Sequence, residues 1–485
     1  MAHIPSSSKI VIIGGGFSGL CTAIRLKMAG DSDFVIVERA EDLGGVWHHN
    51  RYPGAACDVP SSLYSFSFLP DYDWPKSHGA WSDIVGYMKY CVDHFAIEEH
   101  LHFGVEAHAA HWREDDRSWQ VGISLGVMQA RYLIAACGLF NKPQIPKFTG
   151  LDEFEGAAFH SAQWDRDFIP ADKTIAVIGT GCSAAQFVPE IVEDARKLLI
   201  FQRSPCHVMP AAHRTYSAEE RALFRQYPIL RAAERAAIED RMERSSQSQF
   251  DATLRDTVSQ ASVAGMALQI SNEAKRKQLI PTYPIFGKRP ILSDTFLKAL
   301  DREDVEIISE RIERIDATGL LTADGRHHEV DAIIFGTGFV ASDYLLPLRV
   351  KGRDDRDVQA VWRDGAYAYL GMMVDGFPNF FMVYGPNSNI VGSIIQIIEP
   401  QVAFIVERIS EAETAEMLVE VDTETVAQFN QELQETLKRS IYGQRVAENY
   451  FTAANGKVVT QWSGSAGDFV KAVAAASSRT HLVPR

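Results

Sequence analysis

Two short glycine turns constrain this chain more than any other feature. In the first, a β-branched run at 9–13 leads into Gly14-Gly-Gly16-Phe-Ser18-Gly19, and an amphipathic helical pattern follows through Met28. Gly30 stops that pattern, and a buried run at 34–37 ends at Glu38. The grammar repeats 165 residues later: a run at 174–178, the turn Gly179-Thr180-Gly181-Cys182-Ser183-Ala184, a helical pattern to about Ala195 and a run at 198–201 followed by Gln202-Arg203-Ser204. Strand, glycine turn and helix in this order let bare backbone approach a pyrophosphate at a helix N-terminus, and the pattern accepts Ala in its third place. Glu38 and Arg203 each lie 24 residues after the first glycine of their turn. An acidic residue there accepts hydrogen bonds from a free ribose 2′-OH, whereas a basic one neutralises a 2′-phosphate. The first site therefore suits an unphosphorylated adenine dinucleotide and the second suits NADPH, a pairing that serves electron transfer between them.

The 485 residues correspond to about three domains of ordinary size. Hydrophobic residues at 46% and charged residues at 23% place the chain among globular proteins and exclude a disordered one. The net charge of −15 disfavours nucleic acid as a partner. No apolar run reaches the ~18 residues of a membrane span. The longest, around 390–398, contains Gly392, Ser393 and Gln396. Six cysteines are present and none forms a Cys-x-x-Cys pair, which argues against a disulfide scaffold, a zinc knuckle and a dithiol redox centre. His48-His49 and His327-His328 are adjacent pairs without metal-ligand spacing. The apolar stretch at 10–24 is broken by glycines and lacks a basic leader, so a reducing cytoplasm is expected. Leu482-Val-Pro-Arg485 reads as the remnant of a cleaved tag and is set aside from fold reasoning.

The expected fold class is α/β, with two Rossmann-like dinucleotide-binding domains and a helical insertion. The first domain spans 1–148. The second begins at 149–208, including its linker, and resumes at 285–330 after an insertion at 209–284. That insertion is rich in Ala, Arg, Glu and Gln with helical spacing over 217–279, and its charge reads as a solvated face. A strand at 132–136 ends in Cys137-Gly138, and Asp331-Ala-Ile-Ile-Phe-Gly-Thr-Gly338-Phe339 repeats that strand and turn more fully. From 331 to 481 the chain is expected to rejoin the first domain.

Between the two turns, Phe154-Glu-Gly156-Ala-Ala-Phe-His160-Ser-Ala-Gln-Trp164-Asp165 resembles the fingerprint of type I Baeyer–Villiger monooxygenases. The related N- and S-oxygenating flavin monooxygenases carry Tyr or Phe where Trp164 stands. Gly44-Gly45-Val46-Trp47-His-His-Asn-Arg-Tyr52-Pro53-Gly54-Ala-Ala-Cys-Asp58 is similar to a second motif of that family. So are Lys288-Arg289-Pro290, the stretch from Gly376-Phe-Pro-Asn379 to Gly385-Pro-Asn387, and that from Asn455-Gly-Lys457 to Trp462-Ser-Gly464. The resemblance covers nearly the whole chain and is weakest over the insertion.

The resemblance implies FAD at the first turn, NADPH at the second, and oxidation of a ketone by O2 to an ester or lactone through a peroxyflavin. It makes Arg289 the active-site arginine, since a guanidinium stays charged at any relevant pH. Lys288 is expected to join Arg203 and Ser204 on the NADPH phosphate. Asp58 is expected to hold Arg289 and the nicotinamide amide; its other reading is a turn aspartate before Pro60. Val46, Trp47 and Tyr64 are expected to line the flavin. Val105, expected on a short strand, reads either as an adenine contact or as a core valine. Cys182 reads as a small residue that lets phosphate approach, with no reactive role. His160 and Trp164 read as structural, at a hinge between domains. The competing functions are a heteroatom oxygenase, a disulfide reductase, which lacks its cysteine pair here, and a non-catalytic FAD-binding protein. The ketone and the oligomeric state stay open.

Overall fold

The computed structural model describes residues 4–447, 449–453, 455–476 and 481–484. Strand Ser7–Ile13 is buried from Ile10 onward and Phe34–Glu38 is buried throughout. A strand covered on both faces needs such a continuous apolar run, and parallel sheets supply that environment. The two strands pair in parallel with Ile12 opposite Ile36, and Ser7–Ile13 also pairs in parallel with Gly126–Ala135, Ile12 facing Ile134. Leu101–Phe103 extends this sheet beyond Phe34–Glu38. On the other side, Ala107–Arg113, Ser118–Ile123 and Gly126–Ala135 form an antiparallel meander, and Arg349–Lys351 pairs with its outer strand. Strand Phe380–Met382 joins the second half of Gly126–Ala135. Helix Phe17–Met28 packs between this sheet and helix Ile395–Ala415, burying Leu20 and Ile24.

A second, five-stranded sheet is parallel throughout, in the order Val305–Ile308, Lys197–Phe201, Thr174–Ile178, Ala332–Phe335, Ala157–His160. Here the structure departs from the expected boundary at 331. Strand Ala332–Phe335 is fully buried between Thr174–Ile178 and Ala157–His160, so the chain returns to the first sheet only after it. Val105 lies in the link between Leu101–Phe103 and Ala107–Arg113 rather than on a strand. Within the segment set aside as a tag remnant, Leu482 to Pro484 belong to strand His481–Pro484, which pairs antiparallel with Met417–Glu420, and Arg485 lies outside the described residues.

The insertion is helical, as expected: Ala218–Gln226, Pro228–Ser246, Ala252–Gln269 and Glu273–Leu279. Its charge is not all solvated. Arg231 is 4% exposed, donates to Ser62 Oγ at 3.1 Å and stacks on the Phe224 ring. Arg255 is likewise buried and donates to the carbonyls of Ser248 and Gln249. Ile238 joins the core of the first sheet, while Met266, Ile270 and Leu279 join that of the second, so the insertion bridges both. Among the described residues, no helix is long and apolar enough to cross a membrane.

Several histidines are held neutral by burial, which lowers the pKa of His160 and His207 and takes that of His78 down to about 4. A histidine whose folded pKa lies below its unfolded value of about 6.5 binds protons more readily when unfolded. Its contribution to stability is full above that value and is lost as pH falls towards the folded pKa. The melting temperature is therefore expected to fall between about pH 7.5 and about pH 5, and His78→Gln is expected to reduce that fall. An unchanged pH slope in thermal unfolding of the variant would contradict this.

Candidate functional site

Both glycine turns leave the C-terminal ends of central strands and open into one cavity of about 1520 Å³. Their glycines divide into two kinds. Gly14 has φ +113°, and a Cβ there would lie 2.5 Å from the Ala136 carbonyl oxygen; Gly179 has φ +103°, with the Gly336 carbonyl oxygen 2.4 Å away. A Cβ on Gly19 would sit 1.9 Å from the Gly14 carbonyl oxygen. These positions require glycine for the chain to pass itself. Gly19 and Ala184 thus pack inside their turns, Ala184 against Gly336, and neither lines the cavity. Gly16 and Gly181 are different. They are the N-cap residues of Phe17–Met28 and Cys182–Ile191, and a Cβ on Gly181 would meet nothing within 4 Å.

Neither of these helices has a side-chain cap or an acidic residue in its first turn. By contrast, Ser217, Asp251, Asn272, Asp422 and Ser465 each cap a helix elsewhere through a side-chain oxygen. The first-turn residues Phe17, Ser18, Cys182 and Ser183 line the cavity together with Gly16, Thr180 and Gly181. Uncapped N–H groups and the positive end of the helix dipole together form an anion seat at each turn.

Glu38 and Arg203 also reach the cavity. Glu38 is 8% exposed, and its carboxylate accepts from the Gly15 N–H at 2.7 Å and the Ala40 N–H at 2.8 Å. Those two bonds fix it at the end of its strand. Val105, buried, donates its N–H to the Glu38 carbonyl at 2.9 Å and lines the cavity beside it. At the second turn Arg203, Ser204 and Lys288 line the cavity together, and Lys288 Nζ donates to Ser204 Oγ.

Arg289 and Asp58 come from segments 231 residues apart and meet at 2.6 Å, Nη2 to Oδ2. Asp58 therefore pairs with the arginine rather than capping a turn. The Asp58 carboxylate is the main reason the Arg289 pKa lies well above the usual arginine value, against the opposing effect of desolvation. The pair is not sealed in protein: the side chains are 38% and 23% exposed, and both residues line the cavity. Cys182 lies near this pair, and burial pushes its thiol up to about 11, so it is protonated and unreactive at neutral pH. Val46, Trp47 and Tyr64 form another wall, where Trp47 Nε1 donates to the Tyr64 hydroxyl at 3.1 Å.

The histidine of the fingerprint is fully buried. Its Nδ1 accepts from the Ala162 N–H at 3.1 Å, so Nε2 carries the proton and donates to the Gly338 carbonyl at 3.0 Å. His160 thus ties the fingerprint to the Gly336–Gly338 turn against which Gly179 packs. Trp164 packs against Tyr52, Phe159 and Phe187.

Among the cavity residues that the sequence reading missed are Tyr384, Tyr450 and Gln186. Tyr384 donates to Asn389 Oδ1 at 2.6 Å, and Tyr450 lies near Arg289 with its phenol pKa raised by burial. Gln186 bonds the second-motif loop. Gln186 and Tyr450 are ordinary polar residues outside the motifs that carried the sequence reading, and Tyr384 lies within the stretch from Gly376 to Asn387 without a role assigned to it there.

Residues 7–351 match the family described as Flavin-binding monooxygenase-like. The chain belongs to this family. This flavin-binding monooxygenase is 36% identical over 466 residues to a Baeyer-Villiger monooxygenase of Streptomyces coelicolor, covering 95% of this chain and 90% of the relative. A Baeyer-Villiger monooxygenase of Pseudomonas aeruginosa is 35% identical, with 94% and 88% covered. The crystal structure of cyclohexanone monooxygenase from Rhodococcus sp. Phi1 bound to NADP+ superposes with a TM-score of 0.89 at 25% identity, covering 99% of this chain and 100% of that one. The monooxygenase thus has the α/β architecture of that enzyme along its whole length.

Proposed function

We propose that this flavin-binding monooxygenase is a Baeyer–Villiger enzyme that converts ketones to esters or lactones with FAD, NADPH and O2. The observation that carries this is a guanidinium held by a carboxylate, Arg289 on Asp58 at 2.6 Å, in the cavity that both dinucleotide turns share. The names of the curated relatives support the same reaction.

The residues present fit both cofactors. At the first turn, an uncapped helix and a carboxylate fixed by two N–H groups suit the pyrophosphate and free ribose of FAD. At the second, Arg203, Lys288 and the Ser204 hydroxyl converge where the 2′-phosphate of NADPH belongs. The first sheet then serves FAD and the second NADPH, with the FAD domain split in sequence. When bound, the flavin accepts hydride from NADPH and supplies electrons to O2, so that one oxygen atom enters the ketone beside its carbonyl carbon and the other leaves as water. Arg289 holds positive charge where negative charge develops on oxygen, and Asp58 fixes its direction. The walls of Trp47, Tyr64 and Tyr384 restrict water around this corner. His160 bonds only backbone groups and moves no proton.

The test is turnover of matched sulfides and ketones on one preparation. Ketone oxygenation is expected to dominate; oxygenation confined to sulfides would instead favour a heteroatom oxygenase. Glu38→Ala is expected to weaken FAD retention about 10- to 100-fold, since it removes charge-assisted bonds from both the turn and the ribose. Equilibrium dialysis of FAD against the variant checks this, and undiminished retention would remove Glu38 from the site.

A further inference from the structure

The loop that carries Asp58 is bonded to its own domain at Gly79 and Trp81, through Cys57 and Ala55, and is tied to the helix after the second turn by the Gln186 side chain. Gln186 lies one helical turn past Cys182, the first residue of helix Cys182–Ile191. Its Oε1 accepts from the Tyr52 hydroxyl at 2.9 Å and from the Ala56 N–H at 3.4 Å, while its Nε2 donates to the Ala56 carbonyl at 2.8 Å. The approach is close enough to require Gly54, which has φ +76° and whose Cβ would lie 2.6 Å from the Gln186 carbonyl oxygen. Asp58 follows Ala56 by two residues and receives Arg289.

These contacts close a ring. Strands Thr174–Ile178 and Lys197–Phe201 are paired neighbours. One leads through the Gly179–Gly181 turn to Gln186, Ala56, Asp58 and Arg289. The other leads to Ser204, which receives Lys288, the residue before Arg289. The two ends of the NADPH seat are thus both joined to the Arg289 corner, one through Gln186 and one through Lys288.

We infer that Gln186 is a positioning residue: it transmits the placement of the NADPH turn to Asp58 and so aims Arg289. This rests on the function proposed above. The carboxamide bonds the Ala56 backbone at both its N–H and its carbonyl, beside the bonds that Ala55 and Cys57 make to Trp81 and Gly79, and so couples this stretch of the Asp58 loop to the second domain. Helix packing does not depend on the carboxamide, because Phe187 and Trp164 hold Tyr52 by ring contact. A misdirected Arg289 leaves hydride transfer from NADPH intact and impairs delivery of oxygen to the ketone. The electron pair then leaves with O2 as hydrogen peroxide, two protons being taken up in all, one of them from the solvent and one with the hydride.

The experiment compares the FAD-loaded wild type with Gln186→Ala and with Gln186→Met, which keeps the length and apolar volume of the side chain while losing all three bonds. Ester formed per NADPH consumed is expected to fall about 10-fold or more, with peroxide rising to match, while the KM for NADPH stays within about 2-fold. Tyr52→Phe, which leaves both Ala56 bonds, is expected to retain most of the coupling. Crystal structures of the variants supply a second readout, independent of turnover. The Arg289–Asp58 separation is expected to lengthen beyond the ~4 Å of an ion pair. Unchanged coupling in both variants, or an Asp58–Arg289 pair still closed in both, would overturn the inference. A wild type that forms no ester from any ketone would instead count against the proposed function, and the crystallographic comparison would still decide the role of Gln186.

Discussion

Arg289→Ala is expected to lower ester formation about 10²- to 10³-fold, the usual loss on removing one preorganised group that stabilises developing negative charge. The same variant is expected to retain its flavin, because Glu38 and the first glycine turn lie on different segments from Arg289. NADPH is expected still to be consumed, with peroxide replacing ester. Arg289→Lys keeps a positive charge but loses the planar fork that meets a carboxylate and a second acceptor together, so it is expected to recover only part of the loss. Asp58→Ala acts through the same pair. It leaves the guanidinium without the carboxylate that orients it and that raises its pKa. Because the two groups work as a unit, the double variant is expected to lose little more than Arg289→Ala alone. Ester and peroxide measured together at saturating NADPH check the set. Full ester formation by Arg289→Ala would remove the arginine from the chemistry.

The second large effect concerns coenzyme choice. Arg203→Ala is expected to lower kcat/KM for NADPH about 10- to 100-fold, the range of one or two charge-assisted hydrogen bonds to a phosphate. NADH, which has a free 2′-OH in that place, is expected to lose little. Lys288 and Ser204 remain in the variant and limit the loss. Steady-state kinetics with both coenzymes decide the matter. Equal losses for NADH and NADPH would place Arg203 in the fold rather than at the 2′-phosphate.

How much of this was legible in the sequence follows from how local each constraint is. The two turns were legible because their glycines stand in one short pattern between strand and helix, although only Gly19 answers to a near neighbour, the Gly14 carbonyl, while Gly14 and Gly179 answer to Ala136 and Gly336. Glu38 and Arg203 were legible because strand and helix lengths fix their distance from the turn. Arg289 and Asp58 were legible only through their motifs, since nothing local says that segments 231 residues apart will meet.

Other features were hidden for physical reasons. Strand Ala332–Phe335 is buried on both faces, and such a run reads alike whichever parallel sheet receives it. Its membership is set by pairing with strands some 155 and 175 residues earlier. Arg231 and Arg255 look like solvated charges in a helical pattern, and only tertiary partners such as Ser62 and the Phe224 ring make their burial possible. Gln186 lies on the interior of a helix whose pattern explains it as an ordinary polar position. Its partners, Tyr52 and Ala56, lie about 130 residues upstream.

The most direct test of the central claim follows oxygen itself. The FAD-loaded protein is incubated with NADPH and oxygen-18 gas over a panel of cyclic, aryl and long-chain ketones, and the products are weighed by mass spectrometry. The expected result is an ester or lactone that carries one oxygen-18 atom for each NADPH consumed, with the original carbonyl oxygen retained. NADPH consumption that yields only labelled hydrogen peroxide across the whole panel would contradict it.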